Sequence, residues 1–312
     1  MTLNDIQTLM SNDIEANNQY IIDQLSSDVV LINQISQYII HSGGKRLRPL
    51  LVMLIARALE SSDDRQISAA AVIEFIHTAT LLHDGKETAN NVFGNAASVL
   101  TGDFLYSRAF QIMVELNSMD VMQTLADATN KIAEGEVLQL MNCNNANVDE
   151  ARYMNVIYCK TSKLFEAACE VSGLLAKVDL NTRKQLREYG EYLGNAFQLT
   201  DDVLDFLSDA ETMGKNVGDD LAEGKPTLPV IHAIQHANEA DKHVLVDAIE
   251  KGSTENIDQV IKIIKATGSI DYTKEKALHY AKQAKLSITG LKASAYKDAL
   301  LTLCEIAVSR VA

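Results

Sequence analysis

The sequence predicts an all-α protein, a helical bundle around a deep central cavity, and three observations carry that expectation. Apolar residues recur at three- and four-residue spacing along almost the whole chain, while the alternation that marks half-buried strands is scarce. Prolines are few, only Pro49, Pro226 and Pro229, so long helices can run uninterrupted. The composition leans to Ala, Leu, Ile, Glu and Gln, with no Trp, which favours helix throughout. With 312 residues and 47% hydrophobic content the chain can bury a large core. No linker, composition shift or short repeat divides it, so a single domain over 1–312 is expected, with helices long enough to enclose a cavity.

Taken in order, the apolar periodicity places helices near 4–24 and 28–41, ended by Ser42-Gly43-Gly44. A third, near 49–60, starts at Pro49, a residue suited to a first helical position. The next, 64–83, stops before Gly85, and two long ones, 95–116 and 119–142, end at the Asn144-Asn145-Ala146-Asn147 break. Helices near 150–176 and 181–208 precede an irregular stretch from Asp209 to Lys225. The remainder is expected as 227–237, 241–250, 254–267, 270–288 and 293–310.

A net charge of −14 argues against a nucleic-acid surface, which needs clustered Lys and Arg. An anionic substrate would need a local basic pocket within this acidic chain. The four cysteines, Cys143, Cys159, Cys169 and Cys304, have no metal-site spacing and fit reduced thiols of a cytoplasmic protein. The first residues lack the basic-then-apolar pattern of a signal peptide, and no apolar run reaches transmembrane length.

Residues 198–205, Gln-Leu-Thr-Asp-Asp-Val-Leu-Asp, are the most informative stretch. On a helix, Gln198, Asp201, Asp202 and Asp205 share a face, and three carboxylates there repel one another unless a cation sits among them. Hard divalent cations such as Mg²⁺ prefer oxygen ligands. A charge run can also be a solvated face, but Phe197, Leu199, Val203, Leu204 and Phe206 interleave here. Gly214-Lys215, Gly218-Asp219-Asp220 and Gly224-Lys225-Pro226-Thr227 follow, and acids beside lysines suggest a bound phosphate or diphosphate.

A second basic element is Gly43-Gly44-Lys45-Arg46-Leu47-Arg48-Pro49. It places three cations at a helix N-terminus, where free N–H groups and the macrodipole attract anions. An ordinary basic loop is the alternative. His77 lies on the next long helix ahead of Asp84, and a lone histidine is more often structural than a ligand.

These segments together resemble the trans-isoprenyl diphosphate synthases, over essentially the whole chain. The likeness also takes in Gly94 to Phe104, Glu134-Gly135-Glu136 and Lys160-Thr161. No single motif decides it; their order and spacing do. The resemblance implies that Lys45, Arg48 and His77 hold the diphosphate of isopentenyl diphosphate. It implies that Lys160, Thr161, Gln198, Lys215 and Lys225 face the diphosphate of an allylic substrate, farnesyl diphosphate among the candidates. Asp201, Asp202 and Asp205 match the family's second aspartate-rich motif, a Mg²⁺ site. The reaction implied ionises the allylic diphosphate, and the isopentenyl double bond attacks the resulting carbocation before a proton is lost. The resemblance further implies a homodimer, through the long helices near 95–142, and a product serving as a quinone tail.

One departure stands out. The family carries a first motif, Asp-Asp-x-x-Asp, followed by Arg-Arg-Gly, whereas here Asp84 runs straight into Gly85-Lys86. About ten residues of the family pattern are absent between Asp84 and Gly85. Either the protein contains a segment that this sequence omits, or the chain lacks it, and in the second case no normal synthase activity is expected. Asp84 matches the motif's first or second Asp and is the remaining candidate ligand there.

Ala79 and Thr80, five and four positions before Asp84, are small. A bulky aromatic there would stop chain growth early, so the pair favours a product of about C30 to C50 by tunnel-length reasoning. Small residues also simply let helices pack closely. Rival functions are a non-catalytic partner subunit, a class I terpene cyclase and a purely structural bundle. The cyclase has a different second motif, and the structural bundle leaves the grouped acids and basic loops unexplained.

Overall fold

A computed structural model describes residues 1–41, 46–84, 88–207 and 217–310, with the side chains of Ser36, Gln37, Ile39, Ile40, His41, Thr88, Ala89 and Asn91 left aside. The described residues are helical, with no strand among them. In order the helices are α1 (Leu3–Leu9), α2 (Ser11–Gln24), α3 (Val30–His41), α4 (Leu47–Ala58), α5 (Arg65–His83) and α6 (Thr88–Phe93). Then come α7 (Asn95–Glu115), α8 (Met119–Asn142), α9 (Glu150–Ile157), a π-helical turn at Tyr158–Ser162, α10 (Lys163–Leu175) and α11 (Leu180–Leu207). The series ends with α12 (Asp219–Ala222), α13 (Leu228–His236), α14 (Glu239–Lys251), α15 (Ile257–Ala266), α16 (Ser269–Ser287) and α17 (Ala295–Ser309).

The chain groups into two compact units. The first comprises Met1–Thr129, Leu164–Arg187 and Gly290–Thr302; the second comprises Asn130–Lys163, Glu188–Thr289 and Leu303–Ala312.

In the first unit α4 and α5 form the interior. Every residue of α4 from Pro49 to Ala56 is buried, and α5 buries Ala69 to Ile73, Ile76, Ala79 and Leu82. Burying each large aliphatic side chain contributes about 1.5–3 kcal/mol. A bidentate pair from Arg57 to Asp13, at 2.9 and 2.6 Å, ties α4 to α2. Helix α7 approaches α5 closely because Gly102 has no side chain: a Cβ there would lie 3.2 Å from the Ala79 carbonyl oxygen and 2.6 Å from His83 Nε2. Helix α4 begins two residues before Pro49, with Arg46 in the left-handed region (φ 45°) as its N-cap. The sequence had placed the start at Pro49; the proline instead sits in the first turn, where its missing N–H has no intrahelical partner to lose.

The second unit packs Val203, Phe206, Leu221, Val230, Leu245, Ile249, Val260 and Ile264 into one core. Its helices carry regular signals: Asp149 and Asn238 cap α9 and α14 by accepting from the third amide, and Gly252 (φ 57°) ends α14. The loop before α13 is anchored through Asn144. Its amide donates to the Gly224 carbonyl at 2.8 Å, and its side chain reaches the Ile249 carbonyl at 3.1 Å. A Cβ on Gly224 would strike that side chain at 2.5 Å.

Candidate active site

The basic set lies in the first unit. Arg48, in the first turn of α4, donates from Nη1 to His77 Nε2 on α5 at 2.9 Å, and its guanidinium rests 4.5 Å from the Phe165 ring centre. Arginine can only donate, so the imidazole accepts at Nε2 and carries its proton on Nδ1. Desolvation and the Arg48 charge hold the His77 pKa well below its usual value. The pair therefore presents one permanent cation and one neutral N–H donor. Lys45 lies outside the described residues. Arg46 turns to Asn18 and Glu74 instead, which gives it a packing role.

At the other end of α5, Asp84 is the C-cap and its amide donates to the Thr80 carbonyl at 3.0 Å. The Thr80 hydroxyl donates to its own helix at the His77 carbonyl, at 2.6 Å, and Ala79 is fully buried against α7. Only three residues separate Asp84 from α6 at Thr88.

The acidic set lies in the second unit, and there the residues are connected to one another. Thr161 Oγ1 donates to Gln198 Oε1 at 2.9 Å, and Gln198 Nε2 donates to Asp202 Oδ1 at 2.9 Å. Asp202, 2% exposed, accepts on its other oxygen from the Tyr153 hydroxyl. Asp201 instead faces Arg310, whose Nη1 donates to it at 2.6 Å. Asp205 accepts the Asp219 amide at 3.1 Å on Oδ1, while its Oδ2 is buried with no hydrogen-bond partner among the described residues. Lys160 reaches Glu136 and, at 2.9 Å, Gln139 on α8. Lys225, nearly buried, reaches Glu223. Lys215 lies outside the described residues.

Burial, then the neighbouring Asp220 charge, pushes the Asp202 pKa up; the same two causes push Asp205 up to about 7. These carboxylates sit where negative charge is costly and cationic charge is wanted. No three His, Cys, Asp or Glu side chains among the described residues are gathered into a finished cation cage. The donor chemistry nevertheless fits a hard divalent cation: oxygen ligands only, one of them the unpartnered Asp205 Oδ2.

The structure thus joins Thr161, Gln198 and Asp202 in one hydrogen-bonded chain and places Asp205 beside Asp220, while Asp201 points to a separate partner. Tyr153, Asp220 and Arg310 are members that sequence reasoning did not single out. Tyr153 and Arg310 stand 49 and 109 positions from their aspartates, so no local spacing marks them. Asp220 was visible as part of the Gly218-Asp219-Asp220 run, though without an assigned role.

A family model described as polyprenyl synthetase matches residues 29–266. Octaprenyl diphosphate synthase of Escherichia coli (strain K12) is 48% identical over 321 residues, covering 99% of this chain and 99% of the relative. All-trans-nonaprenyl-diphosphate synthase (geranyl-diphosphate specific) of Rhodobacter capsulatus is 39% identical, covering 98% of each. Among solved structures, polyprenyl synthase from Caulobacter crescentus CB15 complexed with calcium and isoprenyl diphosphate superposes with a TM-score of 0.94 at 41% identity, covering 100% of this chain and 98% of that one. The chain belongs to the polyprenyl synthetase family. The alignment with the Escherichia coli relative runs over 321 positions against 312 residues here, so at least nine have no counterpart in this chain.

Proposed function

We propose that the protein is a long-chain trans-polyprenyl diphosphate synthase of the octaprenyl type, which adds isopentenyl diphosphate to an allylic diphosphate such as farnesyl diphosphate. The observation that carries this is the 48% identity with an octaprenyl diphosphate synthase along the full length of both chains. The hydrogen-bonded acidic set of the second unit and the Arg48–His77 pair of the first support it.

In this reading Lys160, Thr161, Gln198, Lys215 and Lys225 hold the diphosphate of the allylic substrate, and Lys45, Arg48 and His77 hold that of isopentenyl diphosphate. Asp201, Asp202 and Asp205 would hold Mg²⁺, which would neutralise negative charge on the diphosphate. Preorganised cations and N–H donors around a leaving anion are a large catalytic term, and no nucleophilic side chain is required. Asp84 adds one further carboxylate. The calcium and isoprenyl diphosphate of the Caulobacter crescentus structure favour a divalent cation here too. Ala79 and Thr80 set a long product; an Ala79→Tyr variant that still made full-length product would remove that role.

A homodimer, a quinone-tail product and a cytoplasmic location belong to the same reading. Exposed Leu100, Phe110 and Val114 on α7, and exposed Val137, Leu140 and Met141 on α8, give apolar surface for a second copy. Among the described residues no helix is long and apolar enough to cross a membrane. Light scattering on the purified protein tests the dimer.

The deciding assay incubates the protein with farnesyl diphosphate, labelled isopentenyl diphosphate and Mg²⁺, and sizes the products by chromatography. A C40 product bears out the proposal. One observation favours a second reading, an impaired or non-catalytic partner subunit: the three-residue passage from Asp84 to α6. An intact mass at 34.2 kDa, with no turnover in the assay, would select it.

A further inference from the structure

The continuous helix expected over 150–176 is interrupted where the lysine and threonine of the diphosphate set stand. Tyr158–Ser162 is a π turn between α9 and α10. A π turn carries one residue more than an α turn, so it changes the direction in which successive side chains leave the axis; such turns concentrate at functional sites. Tyr-Cys-Lys-Thr-Ser contains no glycine or proline to force the break. Neighbouring helices approach it closely.

Two glycines press on the turn. A Cβ on Gly135 of α8 would lie 2.8 Å from the Lys160 amide nitrogen and 2.8 Å from Cys159 Cβ. A Cβ on Gly194 of α11 would lie 2.6 Å from Ser162 Cα. Beside this contact, Ser162 Oγ donates to Asn195 Oδ1 at 2.7 Å, with both residues at or below 3% exposure. One turn further along α11, Gln198 accepts from Thr161. The widened turn thus sends three consecutive side chains to separate duties: Lys160 to Glu136 and Gln139 of α8, Thr161 to Gln198, and Ser162 to Asn195.

We propose that Ser162 and Asn195 are positioning residues for diphosphate binding. Their buried hydrogen bond, in the space Gly135 and Gly194 leave, locks the π turn so that Lys160 and Thr161 are presented together to the allylic diphosphate. The inference rests on the synthase reading above. Neither residue touches substrate; each acts through the backbone of the turn.

The test is calorimetric binding of farnesyl diphosphate, and of inorganic diphosphate as a second probe, each with Mg²⁺ and without isopentenyl diphosphate. Ser162→Ala and Asn195→Ala should each weaken both probes by about tenfold, since small displacements of a binding group are costly. Asn195→Asp keeps the accepting oxygen and should restore most of the affinity. Ser172→Ala, which removes another buried hydroxyl, one that donates to the Val52 carbonyl at 3.1 Å, serves as the stability control and should leave both affinities unchanged. Ser162→Ala and Asn195→Ala variants that melt earlier yet bind both probes like wild type would overturn the positioning role. A wild-type protein that binds neither probe would instead overturn the synthase reading, and the inference with it.

Discussion

The two units treat charge in opposite ways. In the first, burial and then the Arg48 charge keep His77 neutral, and Arg48 and His77 together offer donors to an anion. In the second, burial and Asp220 raise the pKa values of Asp202 and Asp205, and one Asp205 oxygen has no partner among the described residues. In the proposed reading the first set meets a diphosphate directly, and the second meets one through a bound cation. The difference extends to completeness. The second unit's Thr161, Gln198 and Asp202 form a connected hydrogen-bonded chain, whereas in the first unit only three residues lie between Asp84 and α6. The buried scaffold of α4 and α5 is held by its own apolar contacts.

Four experiments break or sharpen this contrast. The largest effect is expected from Asp202→Asn, which keeps the size of the side chain but cannot carry negative charge and leaves only one oxygen to accept from Gln198 or Tyr153. Turnover should fall about 10²–10³-fold, as for loss of one preorganised electrostatic group; a fall below about threefold would remove the second unit's acids from the chemistry. Next, inserting a segment with two carboxylates and two arginines between Asp84 and Gly85 should raise turnover by about 10²-fold, by the same electrostatic argument. No rise would mean that the first unit works as it stands. Third, Arg48→Ala should raise KM for isopentenyl diphosphate about tenfold or more, the scale of a lost hydrogen bond to a charged group, and leave KM for the allylic substrate unchanged. Equal changes in both constants would dissolve the division of labour between the units.

The smallest effect concerns pH. The folded His77 pKa lies below its unfolded value of 6.5, so the unfolded chain binds the extra proton first. The sign follows: the contribution of His77 to stability is full above 6.5 and declines as pH falls from there toward the depressed folded value. A His77→Gln variant should show a flatter loss of melting temperature between pH 7 and 5 than wild type. Parallel curves would show that the ring does not titrate differently in the folded state.

Much of this was legible in the sequence. The long helices lie within a few residues of their expected places, as α7, α8 and α11 do at Asn95–Glu115, Met119–Asn142 and Leu180–Leu207. Short elements escaped, because Thr88–Phe93 and Asp219–Ala222 are too brief to show a helical period. The expected 4–24 helix divides at Met10, and that of 150–176 at the π turn, neither of which contains a breaker residue. For the site, residue types and spacing singled out the acidic run, the lysines and the basic residues before Pro49, of which Lys45 and Lys215 lie outside the described residues. They could not reveal Tyr153 or Arg310, whose partners are distant in the chain.

The sequence by itself determined the helical class, the family and the identity of the charged groups, because periodicity and motif order are written locally along the chain. The directions those groups take were decided only by tertiary structure. Asp201 and Asp202 are adjacent residues, yet one meets Arg310 and the other is buried against Tyr153. Likewise Lys160 and Thr161 part company at a turn shaped by Gly135 and Gly194. Burial and close approach are properties of helices packed together, and they set both the pKa of a carboxyl group and the path of a backbone.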